Sequence, residues 1–140
     1  MCGDGSSGNP FQVSNATELY DLRNCPDSKY FIQITDIDLD VTPYNTGDGW
    51  LPIGNSDYGF IGFYDGQNHT IDGLFINRPI TDCVGLFGSL QSSAIQNLGV
   101  TNVNITGNMF VGGLVGFLIE SSSVSNCFST GIVNGYHSCP

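Results

Sequence analysis

The apolar residues of this chain fall in short runs, two or three residues apart, and the runs break at Gly or Asn. Ile71-Asp72-Gly73-Leu74-Phe75-Ile76, Ile95-Gln96-Asn97-Leu98-Gly99-Val100 and Val124-Ser125-Asn126-Cys127 are examples, and none has the 3.6-residue spacing of a helix. Such pieces predict short strands. The stretch from Ser14 to Asn24 differs. Leu19 and Leu22 share one side of a helical projection, Ser14 or Asn15 stands as N-cap, and Glu18 follows Asn15 by three residues, which predicts a short helix.

The runs repeat. Val84-Gly85-Leu86-Phe87-Gly88 returns as Val111-Gly112-Gly113-Leu114-Val115-Gly116 with one added Gly, and Ser93-Ala94-Ile95-Gln96-Asn97-Leu98 returns as Ser122-Ser123-Val124-Ser125-Asn126-Cys127, for a period of about 28 residues. A fainter copy sets Ile71–Ile76 against Ile95–Val100, which places Leu74, Leu98 and Cys127 in one inward column. A unit of two or three short strands cannot bury its own apolar side. Stacking units about 4.8 Å apart gives parallel sheets around one continuous core. The expected fold is therefore all-β, a parallel β-helix of about five coils in a single domain, residues 1–140. Residues 1–30 form an N-terminal segment whose helix covers the first coil, and residues 31–140 form the coils. The competing architecture, a β-sandwich, favours antiparallel hairpins with charged outer faces. Gly135–Pro140 resembles the entry into another unit, as Asp82-Cys83 precedes Val84-Gly85. This predicts either a piece of a longer array or an end that docks on another copy.

Charge sharpens this picture. Only 11% of residues are charged, against roughly 25% in ordinary soluble proteins, and 13 acids face 3 bases for a net charge of −10. Arg23, Lys29 and Arg78 are too few and too scattered to grip a phosphate backbone or an anionic membrane surface, so nucleic acid is not an expected partner. The longest apolar run, Met109–Ile119, holds three glycines and falls short of the roughly 20 residues a spanning helix needs, so membrane insertion is not expected. From Cys83 onward the only formal charge is Glu120. Close stacking of equivalent positions explains that economy, because like charges one strand apart repel whereas Asn, Ser and Thr form hydrogen-bonded ladders.

With these repeats in hand, the chain resembles the GLUG-motif repeat family of bacterial surface and adhesin-like proteins. Gly85-Leu86-Phe87-Gly88 and Gly113-Leu114-Val115-Gly116 carry the resemblance, the second followed by Val124-Ser125-Asn126-Cys127-Phe128-Ser129-Thr130-Gly131-Ile132-Val133. Upstream, Asp36-Ile37-Asp38-Leu39, Trp50-Leu51-Pro52-Ile53-Gly54 and Phe60–Ile71 resemble the lead-in to such arrays, so the match runs from about Pro10 onward. The resemblance implies a right-handed β-helix displayed outside the cell, often as one segment of a larger protein, and it implies no reaction.

Most chemical motifs fail on context. Gly3-Asp4-Gly5-Ser6-Ser7-Gly8 spells a dinucleotide-binding fingerprint, but no strand precedes it and Pro10 follows. Asp36, Asp38 and Asp40 imitate the start of a calcium loop, yet Val41 and Gly47 stand where Gly and the bidentate Glu are required. Alternation with Ile37 and Leu39 predicts a strand with its carboxylates in water. The competing reading is a surface calcium site completed by Asp48 or Asp65. Asp36 and Asp38, about 7 Å apart on one strand face, are also the one acid/base pair that suits a glycosidase, so a polysaccharide-degrading β-helix is the alternative function. Such an enzyme needs a raised pKa on one carboxyl and, for acidic glycans, cations beside the cleft. His69 and His137 lack a nucleophile setting.

The five cysteines, Cys2, Cys25, Cys83, Cys127 and Cys139, contain no C-x-x-C pair, so no metal cluster is expected. Cys127 reads as a core residue. Cys83 and Cys139, two coils apart, lie about 10 Å from each other by strand spacing, beyond disulfide reach. Cys2 and Cys25 are the one pair a bridge could join, and Cys2 is also placed as the first residue of a lipidated, processed chain. Tyr44, Trp50 and Tyr58 are candidate sugar-stacking residues, with packing the competing role, strongest for Trp50. Asn15, Asn68 and Asn104 open N-x-[ST] sequons; without glycosylation they read as ladder and turn residues. The expectation is a non-catalytic structural or adhesive module at the cell surface or outside the cell. It needs no cofactor, and its partners are cell-surface protein or glycan and other copies of itself.

Overall fold

In the computed structural model, which describes residues 2–136, the chain winds as a parallel β-solenoid of about four turns. It begins with β1 (Phe11–Val13), continues through helix α1 (Ala16–Tyr20) and a 3₁₀ turn (Asp21–Asn24), then β2 (Lys29–Gln33) and β3 (Ile37–Asp38). Next come β4 (Gly62–Asp72), β5 (Phe75–Asn77), β6 (Phe87–Gln91) and β7 (Ala94–Gly107), and the chain closes with β8 (Val115–Ile119), β9 (Ser123–Ser125) and β10 (Phe128–Gly135). One parallel sheet runs in the order β1-β2-β4-β7-β10, with β3, β5 and β9 pairing alongside, and β6 pairs β8 in a second sheet. Ile53↔Phe87 and Phe60↔Leu90 extend this second sheet backward by single parallel bridges.

The registers give the pitch. Tyr64 lies on Ile95 and Ile95 on Val124, while Ile71 lies on Val100 and Ile76 on Ile105, a step of 29 to 31 residues. The turn from β2 to β4 is longer, Ile32 meeting Asp65, because the loop before Trp50 intervenes. Five strands stack in the main sheet with four such steps between them, so the solenoid has about four turns where the sequence predicted about five. The pairings Val84↔Val111 and Ser93 with Ser122–Ser123 agree with the sequence repeat, and Phe128↔Gly99 sets Cys127 on Leu98. Leu74 departs from expectation. It stands beside Val103 rather than over Leu98, since Phe75 pairs Asn104 and the Asn104 N–H donates to Leu74 O at 2.9 Å.

Inward columns explain the stability. Phe31, Tyr64 and Ile95 are 2%, 1% and 0% exposed and lie one above another, with Ile37, Ile71 and Val100 in a second column. Burial of apolar surface at about 25 cal/mol per Å² makes these columns the main cohesive term. One polar network lies among them. The Tyr64 hydroxyl donates to Gln33 Oε1 at 2.8 Å, and Gln33 Nε2 donates to the carbonyls of Thr35 and Thr70 at 2.9 and 3.0 Å, so a fully buried amide is satisfied.

Helix α1 occupies the place that Trp50–Phe60, β6 and β8 fill in later turns. Asn15 caps it, its side chain accepting from the Glu18 N–H at 2.9 Å, and the Glu18 carboxylate accepts from the backbone and hydroxyl of Ser14 at 2.8 Å each. Leu19 and Leu22 are buried beneath it. Outside β1, the Gln12 N–H donates to Cys2 O and the Tyr30 N–H to Gly5 O, so the first turn is covered by the chain's own N-terminal segment.

Candidate functional site

Three features of the outer surface could carry function: the acidic strip at the β2–β3 corner, the polar ladders along the corners, and a groove beside the helix.

At the strip, Ile37 and Leu39 point inward, 3% and 0% exposed, while Asp36, Asp38 and Asp40 lie exposed, as the alternation predicted. Asp36 Oδ1 accepts from the Thr70 N–H at 3.0 Å and lies 3.2 Å from His69 Nδ1. The Thr70 N–H, and after it His69, hold the Asp36 carboxyl below the usual carboxylate range, opposite to the shift a general acid requires. Asp38 Oδ1 instead accepts from the Asp40 N–H at 2.8 Å, closing a local turn. Each carboxylate is therefore engaged by its own backbone partner. Asp65 on β4 accepts from Asn97 Nδ2, the Asp48 carbonyl accepts from the Asn77 N–H, and the described residues bring no three His, Cys, Asp or Glu side chains together in a metal-binding group.

A pH dependence follows from Asp36. A carboxyl depressed in the folded state contributes stability above its unfolded pKa of about 3.9, and that contribution disappears as pH falls through the lower folded value. Urea midpoints measured against pH should fall below about pH 4, and Asp36→Asn should give a shallower fall. An identical profile in the variant would show that the Thr70 and His69 contacts do not persist in solution.

The ladders join successive turns. Asn126 Nδ2 donates to Asn97 Oδ1 at 2.7 Å, and Asn97 Nδ2 donates to Asp65 Oδ1 at 3.1 Å. Asn97 and Asn126 have φ of 55° and 52°, the left-handed region that Asn tolerates, so the corner itself positions the amides. At the next corner Asp72 Oδ1 accepts from Thr101 Oγ1 at 2.6 Å and Asn102 Nδ2 at 2.7 Å. Ser93 Oγ donates to Phe60 O at 2.6 Å and accepts from the Gly62 N–H at 2.9 Å. Polar residues at the corners thus bind equivalent positions of adjacent turns. Of the sequon residues, Asn68 is a turn residue with φ of 63°, Asn15 is the helix cap and Asn104 lies exposed on β7; Asn97 and Asn126 form the ladder in their place.

The groove holds about 480 Å³ and runs between the 3₁₀ turn after α1 and the loop of residues 54–59. Arg23, Leu51, Tyr58, Asp82, Cys25 and Cys83 contribute to its walls. The Arg23 guanidinium lies 3.6 Å from the Tyr20 ring centroid and its Nη2 donates to Leu51 O at 2.8 Å, which ties the helix to the second turn. Tyr58 is 78% exposed at the rim. Trp50 and Tyr44 do not join it there. Trp50 is fully buried, donates from Nε1 to Leu86 O at 3.2 Å, and packs on Tyr20 and Tyr44 with centroids 5.5 and 5.2 Å away. Its role is packing, as its setting in the sequence favoured. Burial pushes the thiols of Cys25 and Cys83 up, assisted by Asp21 and Asp82 respectively, so both are weak nucleophiles at neutral pH. Cys2 and Cys25 are free thiols and form no bridge. His137 and Cys139 lie outside the described residues.

The Gln33–Tyr64 network and the Arg23–Tyr20–Trp50 stack were not anticipated. Both join residues about 30 positions apart whose types have no shared sequence signature, and only the register of the turns brings them together.

Comparison with known proteins places this surface in context. No family model matches the chain. It is 34% identical over 140 residues to halomucin of Haloquadratum walsbyi, covering 95% of this chain and 2% of that protein. It is 36% identical over 107 residues to a protein of Evansella cellulosilytica named as a Gly-rich membrane protein, covering 74% of this chain and 12% of the other. Among solved structures, a Bacteroides ovatus protein named as an immunoglobulin A1 protease superposes with a TM-score of 0.70 over 92% of this chain and 40% of its own, at 22% identity, a likeness of fold alone. The chain is thus a β-solenoid that spans a small fraction of the length of the sequence relatives it matches, one of which is named as a membrane protein.

Proposed function

We propose that this chain is a non-catalytic extracellular module of the GLUG-repeat type, serving as a structural and adhesive segment at a cell surface and touching protein or glycan partners through its sides. The observation that carries this reading is the set of corner ladders: Asp65, Asn97 and Asn126, and Asp72 with Thr101 and Asn102, direct their polar groups along the stack and add to the cohesion of the apolar columns. The names of the sequence relatives support a surface setting. The Asp36 carboxyl, depressed by the Thr70 N–H, is suited to remain an anion, which speaks against the glycosidase alternative.

The test is to offer the purified chain a panel of neutral and acidic polysaccharides and of extracellular proteins, following reducing-end release and binding in parallel. Binding without release of new ends, unchanged in Asp36→Asn and Asp38→Asn, is the expected outcome. Chain cleavage that vanishes in either variant would overturn it in favour of the glycosidase.

A further inference from the structure

The outer face of the main sheet carries two columns of outward side chains, set by the strand registers. Tyr30 lies on Phe63 and Phe63 on Ala94, while Ile32 lies on Asp65 and Asp65 on Gln96. The first column is aromatic for two turns and then stops. The Tyr30 and Phe63 rings are stacked, with centroids 4.4 Å apart and planes inclined by 19°. That separation follows the spacing of about 4.8 Å between strands, so one face of the Phe63 ring is taken by Tyr30 and the other looks toward the next strand. There the chain supplies only the methyl group of Ala94. The result is a hollow of about 280 Å³ over the sheet, bordered by both columns and as deep as one ring.

The second column edges this vacant rung with polar groups. Asp65 accepts from the Gln67 N–H at 2.9 Å and from Asn97 Nδ2 at 3.1 Å, both on Oδ1, which fixes the carboxylate and leaves Oδ2 to accept from a ligand. Gln96 lies exposed beside it, and its amide can both donate and accept. Among the described residues no Lys or Arg lines the hollow, and the chain carries a net charge of −10, so an anionic ligand is disfavoured. Size selects further. A stable protein interface takes about 800 Å² from each partner, whereas the space beyond Phe63 admits one ring. An uncharged ring with an apolar face and a rim of hydroxyls meets every one of these conditions. The platform is also rigid, because β2, β4 and β7 are each paired on both sides within the sheet.

We propose that this hollow binds one pyranose unit of a neutral polysaccharide. The sugar takes the rung beyond Phe63, its apolar face packed on the Phe63 ring and its hydroxyls reaching Asp65 Oδ2 and the Gln96 amide. This rests on the reading of the chain as a non-catalytic surface module, and adds to it the class of glycan and the place of contact.

Calorimetric titration of the intact chain with cellohexaose, mannohexaose and chitohexaose, and with a galacturonate hexamer as the acidic comparison, tests this, while NMR shifts map the contact. At least one neutral sugar should bind with a dissociation constant of about 1 mM, and the acidic hexamer about tenfold more weakly or not at all. Shifts should centre on Tyr30, Phe63, Asp65, Ala94 and Gln96. Ala94→Phe puts a ring in the vacant rung and should weaken binding about tenfold or more while circular dichroism stays β-rich. Phe63→Ala should do the same by removing the platform, and Tyr58→Ala, at the rim of the separate groove, should change nothing. Should Ala94→Phe fail to fold, Phe63→Ala and the shift map decide. The site is overturned if every neutral sugar fails to bind, if the acidic hexamer binds equally well, or if Tyr58→Ala abolishes binding that Ala94→Phe spares. A protein ligand seated on Phe63 and Ala94 in place of sugar would overturn it too. The surface-module reading survives each of these results through whichever partner the wider panel binds. Cleavage of the bound sugar would do the reverse, removing that reading and leaving the site in place.

Discussion

Replacing Gly88 by Val is expected to abolish the fold, and Gly88→Ala to destabilise it by about 3 kcal/mol or more. Gly88 lies in the middle of a glycine column. Its N–H donates to Ile53 O at 2.8 Å, and a Cβ at this position would land on Gly54 O in the turn before and lie 2.5 Å from Cys83 O. One turn later Gly116 is in the same situation, its Cβ position 2.7 Å from Gly88 O. The obstructing atoms are backbone, so no rotamer change relieves the clash, and moving them breaks the stacking of neighbouring turns. Gly8, with open space around its Cβ position, is the control, and Gly8→Ala should stay within about 0.5 kcal/mol of the parent. Urea unfolding followed by far-ultraviolet circular dichroism measures both. A Gly88→Ala midpoint equal to that of Gly8→Ala would refute the close approach.

Trp50→Ala is expected to cost about 3–5 kcal/mol, a large share of the roughly 5–15 kcal/mol that holds a domain together. The indole is fully buried and joins three layers. It packs nearly perpendicular to Tyr20 of the helix and tilted against Tyr44 of the long loop, and Nε1 donates to Leu86 O in the following turn. Truncation would leave a cavity where the first-turn helix meets the second turn, and Arg23, whose guanidinium carbon lies 5.7 Å from the indole centroid, would lose part of its platform. Trp50→Phe should cost only about 1–2 kcal/mol, because a ring remains and Leu86 O still accepts from the Ile53 N–H at 3.0 Å. Equal losses from the two variants would mean that the hydrogen bond, and not the packing, dominates this site.

Much of the architecture was legible in the chain because stacking constrains sequence directly. Gly88 and Gly116, Val84 and Val111, Ser93 and Ser122, and Leu98 and Cys127 were identified as equivalent from spacing, and the structure places each pair in adjacent turns. The faint first copy was misphased for a physical reason. Along the long strand β7 the pattern of an aliphatic residue, another three later and a third two after that occurs twice, at Ile95-Leu98-Val100 and at Val100-Val103-Ile105. Ile71-Leu74-Ile76 matches both in type but stacks on the second, and the register shift between Asp65 and His69 hides the true phase. The helix was readable from its capping residues; that it lies within the first turn, in place of a strand, was not. The outer surface was least legible. Alternation assigned Asp36 and Asp38 to water, but their separate backbone partners depend on where Thr70 and Asp40 fall, and the groove arises from the meeting of a helix and a loop some 30 residues apart.

The stacked register is open to one direct measurement. In solution NMR of the labelled chain, inter-strand backbone contacts should link Phe31 to Tyr64, Tyr64 to Ile95 and Ile95 to Val124 in the pattern of parallel strands. Close Hα–Hα contacts diagnostic of antiparallel hairpins among these residues, or the absence of any contact between Ile95 and Val124, would contradict the solenoid and all that is built on it.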